Sequence, residues 1–193
     1  MRLAVEGNIG GGKTEALAAL ASAFPSMPVF TEPVDEWADL MQLFYAAPAE
    51  WALAFSLKVL LSFRRPGAAT ETCLVERCPL ATRHVFSQLL YNDGSLTHHE
   101  WELFKEYHDV LAWKPDAILY IDTPVDVCLD RIRQRGRGAE RGIEEDYLRR
   151  VDFQYANMLR FVDVPVLRFD GTLPPADLHA AMADAVRKLI SEE

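Results

Sequence analysis

The sequence predicts an α/β fold in which a doubly wound, parallel five-stranded sheet is flanked by helices. Three observations support this fold class. Five short aliphatic segments alternate with longer segments of helical period, and a glycine-rich loop joins the first of them to the first helix. In addition, 193 residues with 50% hydrophobic content suffice to bury one sizeable core. We therefore expect residues 1–193 to form a single domain.

The predicted strands are largely aliphatic, without alternation of polar residues. This pattern is typical of strands that are buried on both faces of a parallel sheet. The strands are Arg2 to Glu6, Val29 to Glu32, Cys73 to Glu76, Ala117 to Asp122 and Val164 to Asp170.

The predicted helices carry apolar residues three or four positions apart, which gives each helix one apolar face. The second of them, for example, repeats such residues at Phe55, Val59 and Phe63. The alternation of strands and helices implies right-handed crossovers between parallel strands. The helices are Lys13 to Phe24, Trp51 to Phe63, Val125 to Gln134, Tyr147 to Phe161 and Pro174 to Ile190.

The charge balance is acidic, with one local exception. Lys and Arg number 20 and Asp and Glu number 29, so that the net charge is −9. This balance argues against a nucleic acid polymer as partner, because such partners require a broad basic face. The exception is a cluster with a single acid, Glu140; its basic members are Arg131, Arg133, Arg135, Arg137 and Arg141.

Cysteines and histidines give no sign of a disulfide framework or a metal site. Cys73, Cys78 and Cys128 are odd in number, lack C-x-x-C spacing and lie in apolar contexts, which indicates reduced thiols and a cytoplasmic location. His98 and His99 are adjacent, and neighbours in a helix point about 100° apart. No apolar stretch approaches the roughly 20 residues that cross a bilayer, so we expect no membrane association.

The glycine-rich loop satisfies the phosphate-binding pattern G-x-x-x-x-G-K-[ST] directly after the first strand. Backbone N–H groups in such a loop converge on phosphate oxygens, and the lysine neutralises the β and γ phosphates. The final threonine offers a hydroxyl to Mg²⁺. The pattern predicts binding of a nucleoside triphosphate by Gly7, Asn8, Ile9, Gly10, Gly11, Gly12, Lys13 and Thr14.

Two predicted strands end in a carboxylate, Glu32 and Glu76, at the end of the sheet where the phosphate loop lies. Glu76 is positioned to hold Mg²⁺, as acids beside a phosphate loop do. Glu32 is then free to accept the proton of an attacking alcohol, which indicates a small-molecule kinase with a hydroxyl acceptor. The alternative is that Glu32 merely caps the following turn. A guanine-reading N-K-x-D sequence is absent, which argues against a switch GTPase.

Taken together, these motifs resemble the deoxyribonucleoside kinases over nearly the whole chain. The resemblance rests on the phosphate loop, on Glu32-Pro33-Val34 with Trp37, on Glu76-Arg77, and on an arginine-rich segment that ends at Tyr147-Leu148. It implies that Glu32 is the base that deprotonates the nucleoside 5′-hydroxyl, that Arg77 holds this base, and that Glu76 serves Mg²⁺. Cys78 departs from the usual serine.

The resemblance also implies a lid at about 135–142 that closes over the triphosphate. Arg131, Arg135 and Arg137 are then ATP contacts, and Asp170, at the end of the last strand, is another. Guanidinium groups suit this role because they stabilise charge spread over phosphate oxygens. Arg133 and Arg141 are open to a second interpretation, as members of a solvated helix face.

The same resemblance identifies part of a nucleoside pocket. Tyr45 and Glu140 are expected to grip the sugar 3′-hydroxyl, and Phe86 to stack on the base with Trp37 nearby, although Trp37 and Phe86 also fit plain core positions. The remaining pocket residues are Phe55, Ser56 and Thr82. Ser56 stands where the family has a glutamine, and Phe63 and Thr82 replace two polar residues that favour cytosine. We therefore expect a preference for thymidine or for pyrimidines in general. The resemblance also implies that the protein forms a homodimer.

Two other functions share some of these motifs. A nucleoside monophosphate kinase of the thymidylate kinase type has the same loop and a lid, and it needs no base because its acceptor is already a phosphate. A non-catalytic nucleotide sensor binds through the same loop and signals by lid closure. Transfer of phosphate to a deoxynucleoside separates the first interpretation from both.

Overall fold

The computed structural model describes residues 1–136 and 142–191, and the strands of this part of the chain form one parallel sheet. The strand order is β2-β3-β1-β4-β5, so that the first strand lies in the centre with its neighbours added on both sides. This is the doubly wound arrangement that the sequence predicts. The strands are β1 (Arg2–Gly7), β2 (Val29–Phe30), β3 (Cys73–Glu76), β4 (Ala117–Asp122) and β5 (Val166–Asp170).

The sheet register brings the ends of β1 and β3 together. Val5 of β1 pairs with Glu76 of β3, and on the other side Gly7 pairs with Ile121 of β4. Since β1 leads directly into the phosphate loop, this register places Glu76 beside that loop. The carboxyl ends of the strands therefore meet where ligands bind in open α/β sheets.

Two strands are shorter than the sequence predicts, for local reasons. β2 ends at Phe30, and the backbone N–H of Glu32 donates to the Glu76 side chain instead of to a neighbouring strand. β5 begins at Val166 because Pro165 has no N–H to offer. Glu32 therefore lies in the loop after β2 rather than at the last position of the strand.

Helices cover both faces and the β2 edge of the sheet, and a π-helical segment interrupts one of them. The predicted helices are present with ends that shift by at most three residues, whereas the helices between residues 34 and 46 and between 64 and 111 were not predicted. In the described residues the helices are α1 (Lys13–Ala23), α2 (Val34–Ala46), α3 (Pro48–Ser62), α4 (Arg64–Gly67), α5 (Pro79–Ala81), the π segment (Thr82–Ser87), α6 (Gln88–Asn92), α7 (His98–Leu111), α8 (Val125–Arg135), α9 (Glu145–Phe161) and α10 (Pro175–Ser191).

The core has two main parts, one on each face of the sheet. On one face, Leu17 of α1 and Met182 of α10 pack against Leu119 of β4. On the other, Tyr155 of α9 and Val85 of the π segment pack in a second cluster. Burial of apolar surface at about 25 cal/mol per Å² makes these two layers the main source of stability.

Cys73, Cys78 and Cys128 are buried and unpaired. Among the helices of the described residues, none combines the length and apolar character that a bilayer crossing requires. Nor does this part of the chain hold a cluster of three or more His, Cys, Asp or Glu side chains able to ligate a metal ion on their own.

Candidate active site

The phosphate loop wraps around the start of α1 in a shape that its glycines permit. Gly10 has a φ of +77°, and a Cβ atom there would lie 2.5 Å from the carbonyl oxygen of Cys128. Any side chain would therefore push the loop away from α8. The helix then begins at Lys13, so that its first N–H groups and the positive end of its dipole face the loop.

Lys13 lies almost fully buried at the centre of this loop. Its Nζ donates to the carbonyl oxygen of Asn8 at 2.8 Å. Burial lowers the pKa of the Lys13 ammonium to about 8; the Arg77 guanidinium acts in the same direction, and nearby carboxylates oppose both. A lysine held in this way gains most from an anion, because an anion restores the preference for the charged form.

Hydrogen bonds to α9 and to the residue after β4 hold the phosphate loop in place. Asn8 donates from Nδ2 to the carbonyl oxygen of Leu148 in α9 at 3.0 Å, and its Oδ1 accepts from the N–H of Ile9. Thr123, which follows β4, donates to the carbonyl oxygen of Gly11 at 3.1 Å. The loop is therefore fixed before any ligand arrives, which is the preorganisation that anion binding needs.

Glu76 and Thr14 bring hard oxygen atoms together beside the loop. The Thr14 hydroxyl donates to Oε1 of Glu76 at 2.9 Å. A hydroxyl and one carboxylate are the protein ligands that Mg²⁺ takes when phosphate oxygens and water complete its shell. The donor set therefore fits a Mg²⁺ ion that arrives with a nucleotide, although the protein alone offers too few ligands for a resident metal.

Glu32 lies on the other side of Glu76, next to an arginine. Its N–H donates to Oε2 of Glu76 at 3.3 Å, and its own Oε1 lies 3.1 Å from Nε of Arg77. The Glu32 side chain retains 20% exposure, whereas that of Arg77 retains 8%. Arg77 thus holds one carboxylate oxygen of Glu32, while part of the side chain remains open to solvent, which is the arrangement a general base requires.

Arg77 has a strained backbone and a side chain contacted from several directions. It is the one non-glycine residue with positive φ, at +61°, in the part of the chain described here. Its N–H donates to the carbonyl oxygen of Val5, and Nη1 donates both to the carbonyl oxygen of Gly7 at 3.1 Å and to the hydroxyl of Tyr155. The Phe86 ring lies 4.7 Å from the guanidinium carbon. Strain of this kind is typical of functional positions.

Glu6 and Tyr155 complete the cluster, and the sequence analysis missed both. The Tyr155 hydroxyl donates to Oε2 of Glu6 at 2.8 Å, and both residues are fully buried. A carboxylate within an otherwise aliphatic strand is a signal that sequence can offer. Tyr155 offered none, because it lies on the apolar face of α9 with Val151 and Met158.

Several predicted pocket residues form an aromatic group between α2 and α3. The Phe55 ring meets Trp37 edge-on at 6.4 Å and stacks on Phe44 at 4.9 Å. Ser56 is buried on the next position of α3, and Thr82 is buried at the start of the π segment. π-Helical turns occur frequently at functional sites.

Tyr45 borders this aromatic group, since its ring lies 5.4 Å from that of Phe44, whereas Phe63 lies apart from the group. Tyr45, at the end of α2, is 56% exposed and lies near Tyr147, whose pKa burial and Tyr45 raise to about 12. Phe63 packs with Cys73 and Trp113 in the core beside β3. The site therefore has a solvent-exposed rim at Tyr45 and an apolar wall at Phe63.

The structure describes only some of the predicted ATP contacts outside the phosphate loop. Arg131 donates from Nη2 to the carbonyl oxygen of Gly171 at 2.9 Å, and its Nη1 lies close to Gly12. Arg135 ends α8 and is exposed, and Arg133 pairs with Asp130 at the surface. Arg137, Glu140 and Arg141, with most of the expected lid, lie outside the described residues.

Asp170 lies at the end of β5, where its carboxylate stabilises the turn that follows the strand. Oδ1 accepts from the N–H of Thr172 at 2.8 Å and from the hydroxyl of the same residue at 2.6 Å. These hydrogen bonds hold the pKa of the Asp170 carboxyl below its usual range. Its contact with ATP stays a prediction.

A cavity of about 460 Å³ opens between the edge strand β2 and the helices α2, α3 and α4. Glu32, Trp37 and Glu76 contribute to its lining, but Ser56 and Phe86 do not. The cavity therefore lies beside the aromatic group and reaches the candidate base from the sheet edge.

Related sequences cover nearly the whole chain. The sequence model of the family described as "Deoxynucleoside kinase" matches residues 3–191. The "Putative kinase protein 029R" of Invertebrate iridescent virus 3 is 32% identical over 157 residues, which is 79% of each chain. Deoxycytidine kinase of Mus musculus is 24% identical, with 98% of this chain and 91% of that protein covered.

A solved structure shares the fold. The deoxyadenosine kinase from M. mycoides, with products dCMP and a flexible dCDP bound, superposes with a TM-score of 0.87 at 19% identity and covers 98% of this chain and all of its own. The chain therefore belongs to the deoxynucleoside kinase family, a family of ATP-dependent phosphotransferases.

Proposed function

We propose that this protein transfers the γ-phosphoryl group of ATP to the 5′-hydroxyl of a deoxyribonucleoside in nucleotide salvage. The observation that carries the proposal is the position of Glu32, held by Arg77 at 3.1 Å and linked through Glu76 to Thr14 of the phosphate loop. A carboxylate aimed in this way at the edge of a phosphate site serves an acceptor that has a proton to lose.

In this proposal the phosphate loop and its neighbours hold the donor. Lys13 and the loop N–H groups contact the β and γ phosphates, and Arg131, Arg135, Arg137 and Asp170 complete the ATP contacts. Thr14 and Glu76 hold Mg²⁺, which when bound neutralises charge on the β and γ oxygens. The Thr14 hydroxyl that now donates to Glu76 would present its oxygen to the ion.

Glu32 and Arg77 act on the acceptor. The Glu32 carboxylate accepts the proton of the 5′-hydroxyl while the hydroxyl oxygen forms a bond to the γ phosphorus, and the bond from that phosphorus to the β–γ bridging oxygen breaks. ADP leaves with the electron pair of that bond. General base catalysis of this kind contributes about 10² to 10⁴ in rate. Arg77 orients the carboxylate and stabilises charge that develops on the transferring group.

The nucleoside lies between the aromatic group and Phe86. Tyr45 and Glu140 would contact the sugar, and Trp37, Phe55, Ser56, Thr82 and Phe86 would line the base pocket.

For the base, we propose thymidine or pyrimidine deoxynucleosides in general as substrates. A single hydroxyl at Ser56 can donate or accept a hydrogen bond, so it can face either the 4-oxo group of thymine or the 4-amino group of cytosine. The amide that the family resemblance places there makes a fixed pair of hydrogen bonds and is more selective. Because Ser56 is buried, a base that leaves its hydroxyl without a hydrogen-bond partner would bind more weakly.

We also propose a homodimer formed through α3 and α7, which pack against each other. Four large apolar side chains on these helices are exposed: Leu61 on α3, and Leu103, Tyr107 and Val110 on α7. The three on α7 recur four and three positions apart and therefore share one face. A second copy of the chain would cover this face.

A cytoplasmic location fits the cysteines. All three are buried and free, and burial raises the pKa of the Cys128 thiol to about 11, which keeps it in the unreactive thiol form. The absence of a disulfide among the described residues suits a reducing compartment.

Incubation with ATP, Mg²⁺ and each of the four deoxynucleosides tests the proposed function. We expect a 5′-monophosphate from at least thymidine or deoxycytidine. A parallel incubation with thymidine monophosphate separates the alternative, because a monophosphate kinase would produce the diphosphate there and leave all four nucleosides unchanged. Tight ATP binding without transfer to any acceptor would instead indicate a sensor.

A further inference from the structure

A buried carboxylate and a buried tyrosine lie directly behind the proposed catalytic pair. Glu6 is the penultimate residue of β1, and Tyr155 lies at the middle of α9. The Tyr155 hydroxyl donates to Oε2 of Glu6 at 2.8 Å, and neither residue is accessible to solvent. The proposed reaction leaves both without a role.

Both residues converge on one nitrogen atom of Arg77. Nη1 donates to the Tyr155 hydroxyl and to the carbonyl oxygen of Gly7, and it lies 3.8 Å from Oε2 of Glu6. Three oxygen atoms, two from β1 and one from α9, therefore surround Nη1. The face of the guanidinium meets the ring of Phe86 at the same time.

This arrangement fixes the plane of the guanidinium. An arginine side chain has several rotatable bonds, so a contact with Glu32 through Nε alone would leave the group free to swing. With Nη1 fixed at the back, Nε can point only toward Oε1 of Glu32, which it meets at 3.1 Å. The orientation of the base thus depends on atoms that lie on the far side of the arginine.

The carboxyl group of Glu6 is costly to bury, which argues against a purely structural residue. Burial raises its pKa, against the opposing effect of Arg77 and Tyr155. Oε1 has no hydrogen-bond partner among the described residues, and its neighbour Cys78 is only a weak donor. A well-packed apolar side chain at this position would avoid the cost.

We propose that Glu6 and Tyr155 are positioning residues for phosphoryl transfer, which fix the Arg77 guanidinium so that it holds the Glu32 carboxylate in one orientation. The inference rests on the proposed function of this site. Small displacements of a reacting group from its productive geometry lower turnover strongly, so the effect belongs in kcat. ATP contacts lie on other residues, so KM for ATP stays unaffected.

Tyr155→Phe tests the proposal, with Tyr120→Phe as matched control. Tyr120 is also buried, and its ring lies 5.6 Å from that of Tyr155, so the control removes a hydroxyl from the same cluster without touching the Arg77 contacts. We expect kcat of Tyr155→Phe to fall about tenfold while KM for ATP stays within about twofold, and the control to keep both values within about twofold.

Glu6→Gln provides a second variant that keeps an oxygen acceptor for Tyr155. We expect its kcat to fall as well. Since both residues act through the same nitrogen, kcat of the double variant Glu6→Gln with Tyr155→Phe should lie no more than about twofold below that of the less active single variant. Unchanged kcat in both single variants, or equal losses of kcat in Tyr155→Phe and Tyr120→Phe, would overturn the positioning role. The proposed function would still stand in that case, because the wild-type protein turns over a deoxynucleoside.

A measurement without turnover covers the case in which no deoxynucleoside is a substrate. The Nε–H proton of Arg77 should exchange slowly with solvent in ¹H–¹⁵N NMR spectra, because the group is buried and held on both sides. We expect exchange about tenfold faster in Tyr155→Phe and unchanged in Tyr120→Phe. Equal exchange in wild type and Tyr155→Phe would show that Tyr155 does not fix the guanidinium.

Discussion

The hydroxyl of Thr14 lies 2.9 Å from Oε1 of Glu76, which joins the phosphate loop after β1 to the end of β3. The second oxygen of the same carboxylate accepts the backbone N–H of Glu32 at 3.3 Å. One side chain thus connects the proposed metal ligand of the loop with the proposed base. The sheet register sets Glu76 beside the phosphate loop, and the hydrogen bonds of Glu76 then place donor and acceptor chemistry relative to each other.

Glu32→Gln should lower kcat at least about 100-fold and leave KM for ATP within about twofold, because the amide cannot accept the hydroxyl proton but retains the size of the side chain. Steady-state assays with the best deoxynucleoside measure this. Glu50→Gln, an exposed position on α3 outside the cavity lining, is the control and should behave like wild type. Turnover preserved in Glu32→Gln would favour the monophosphate kinase, whose acceptor has no such proton.

Nucleotide binding should take up protons near pH 8.5, since the pKa of Lys13 lies at about 8 in the free protein and an anion raises it. If binding restores the ordinary pKa, uptake approaches about 0.7 proton at that pH. Titration calorimetry in buffers of different ionisation enthalpy measures this number. Lys13→Arg, which stays protonated throughout, should show no uptake, and uptake equal to wild type would assign the proton to another group.

The sequence predicted the sheet well because buried parallel strands are continuous aliphatic runs. Cys73–Glu76 and Ala117–Asp122 have the predicted bounds. The missed helix α7 has a capping box, in which Thr97 and Glu100 bond to each other's backbone. The many polar residues of α7 obscure the spacing of its apolar residues, although the capping box itself is recognisable in the sequence.

The candidate site was predictable where chemistry sits in short motifs and unpredictable where it depends on distant packing. Glu32, Glu76 and Arg77 follow strands that the sequence identifies. Tyr155 meets Glu6 across 149 positions of sequence, and a tyrosine on an apolar helix face reads as core. Only the docking of α9 on β1 gives that residue its contact with Arg77.

Ser56→Gln should change the ratio of kcat/KM values for thymidine and deoxycytidine by about tenfold or more, because the amide offers paired hydrogen bonds that a hydroxyl does not. Ser56 is buried, so the larger side chain needs pocket space. If the site were solid core, the substitution would instead lower the free energy of unfolding by about 1–3 kcal/mol with no change in base preference. Ala54→Gln, exposed on the same helix, controls for the added amide.

Arg131→Ala should raise KM for ATP about tenfold, since Arg131 lies close to Gly12 of the phosphate loop and is fixed by the Gly171 carbonyl. The neighbouring surface position Arg133 pairs only weakly with Asp130 at 3.8 Å, and Arg133→Ala should stay within about twofold of wild type. Initial rates over a range of ATP concentrations compare the two. Equal effects would assign Arg131 to the solvated face of α8.

Val110→Asp should convert a dimer into a monomer. Val110 is 82% exposed, so an aspartate there leaves the folded chain intact, yet a buried unpaired charge at an interface costs several kcal/mol and prevents association. Sedimentation velocity at micromolar concentration compares the variant with wild type. Phe161→Asp is the control, because Phe161 is equally exposed but lies on a different helix, at the end of α9. A wild-type chain that sediments as a monomer, or a dimer that survives Val110→Asp and dissociates in Phe161→Asp, would exclude the α3–α7 face as the interface.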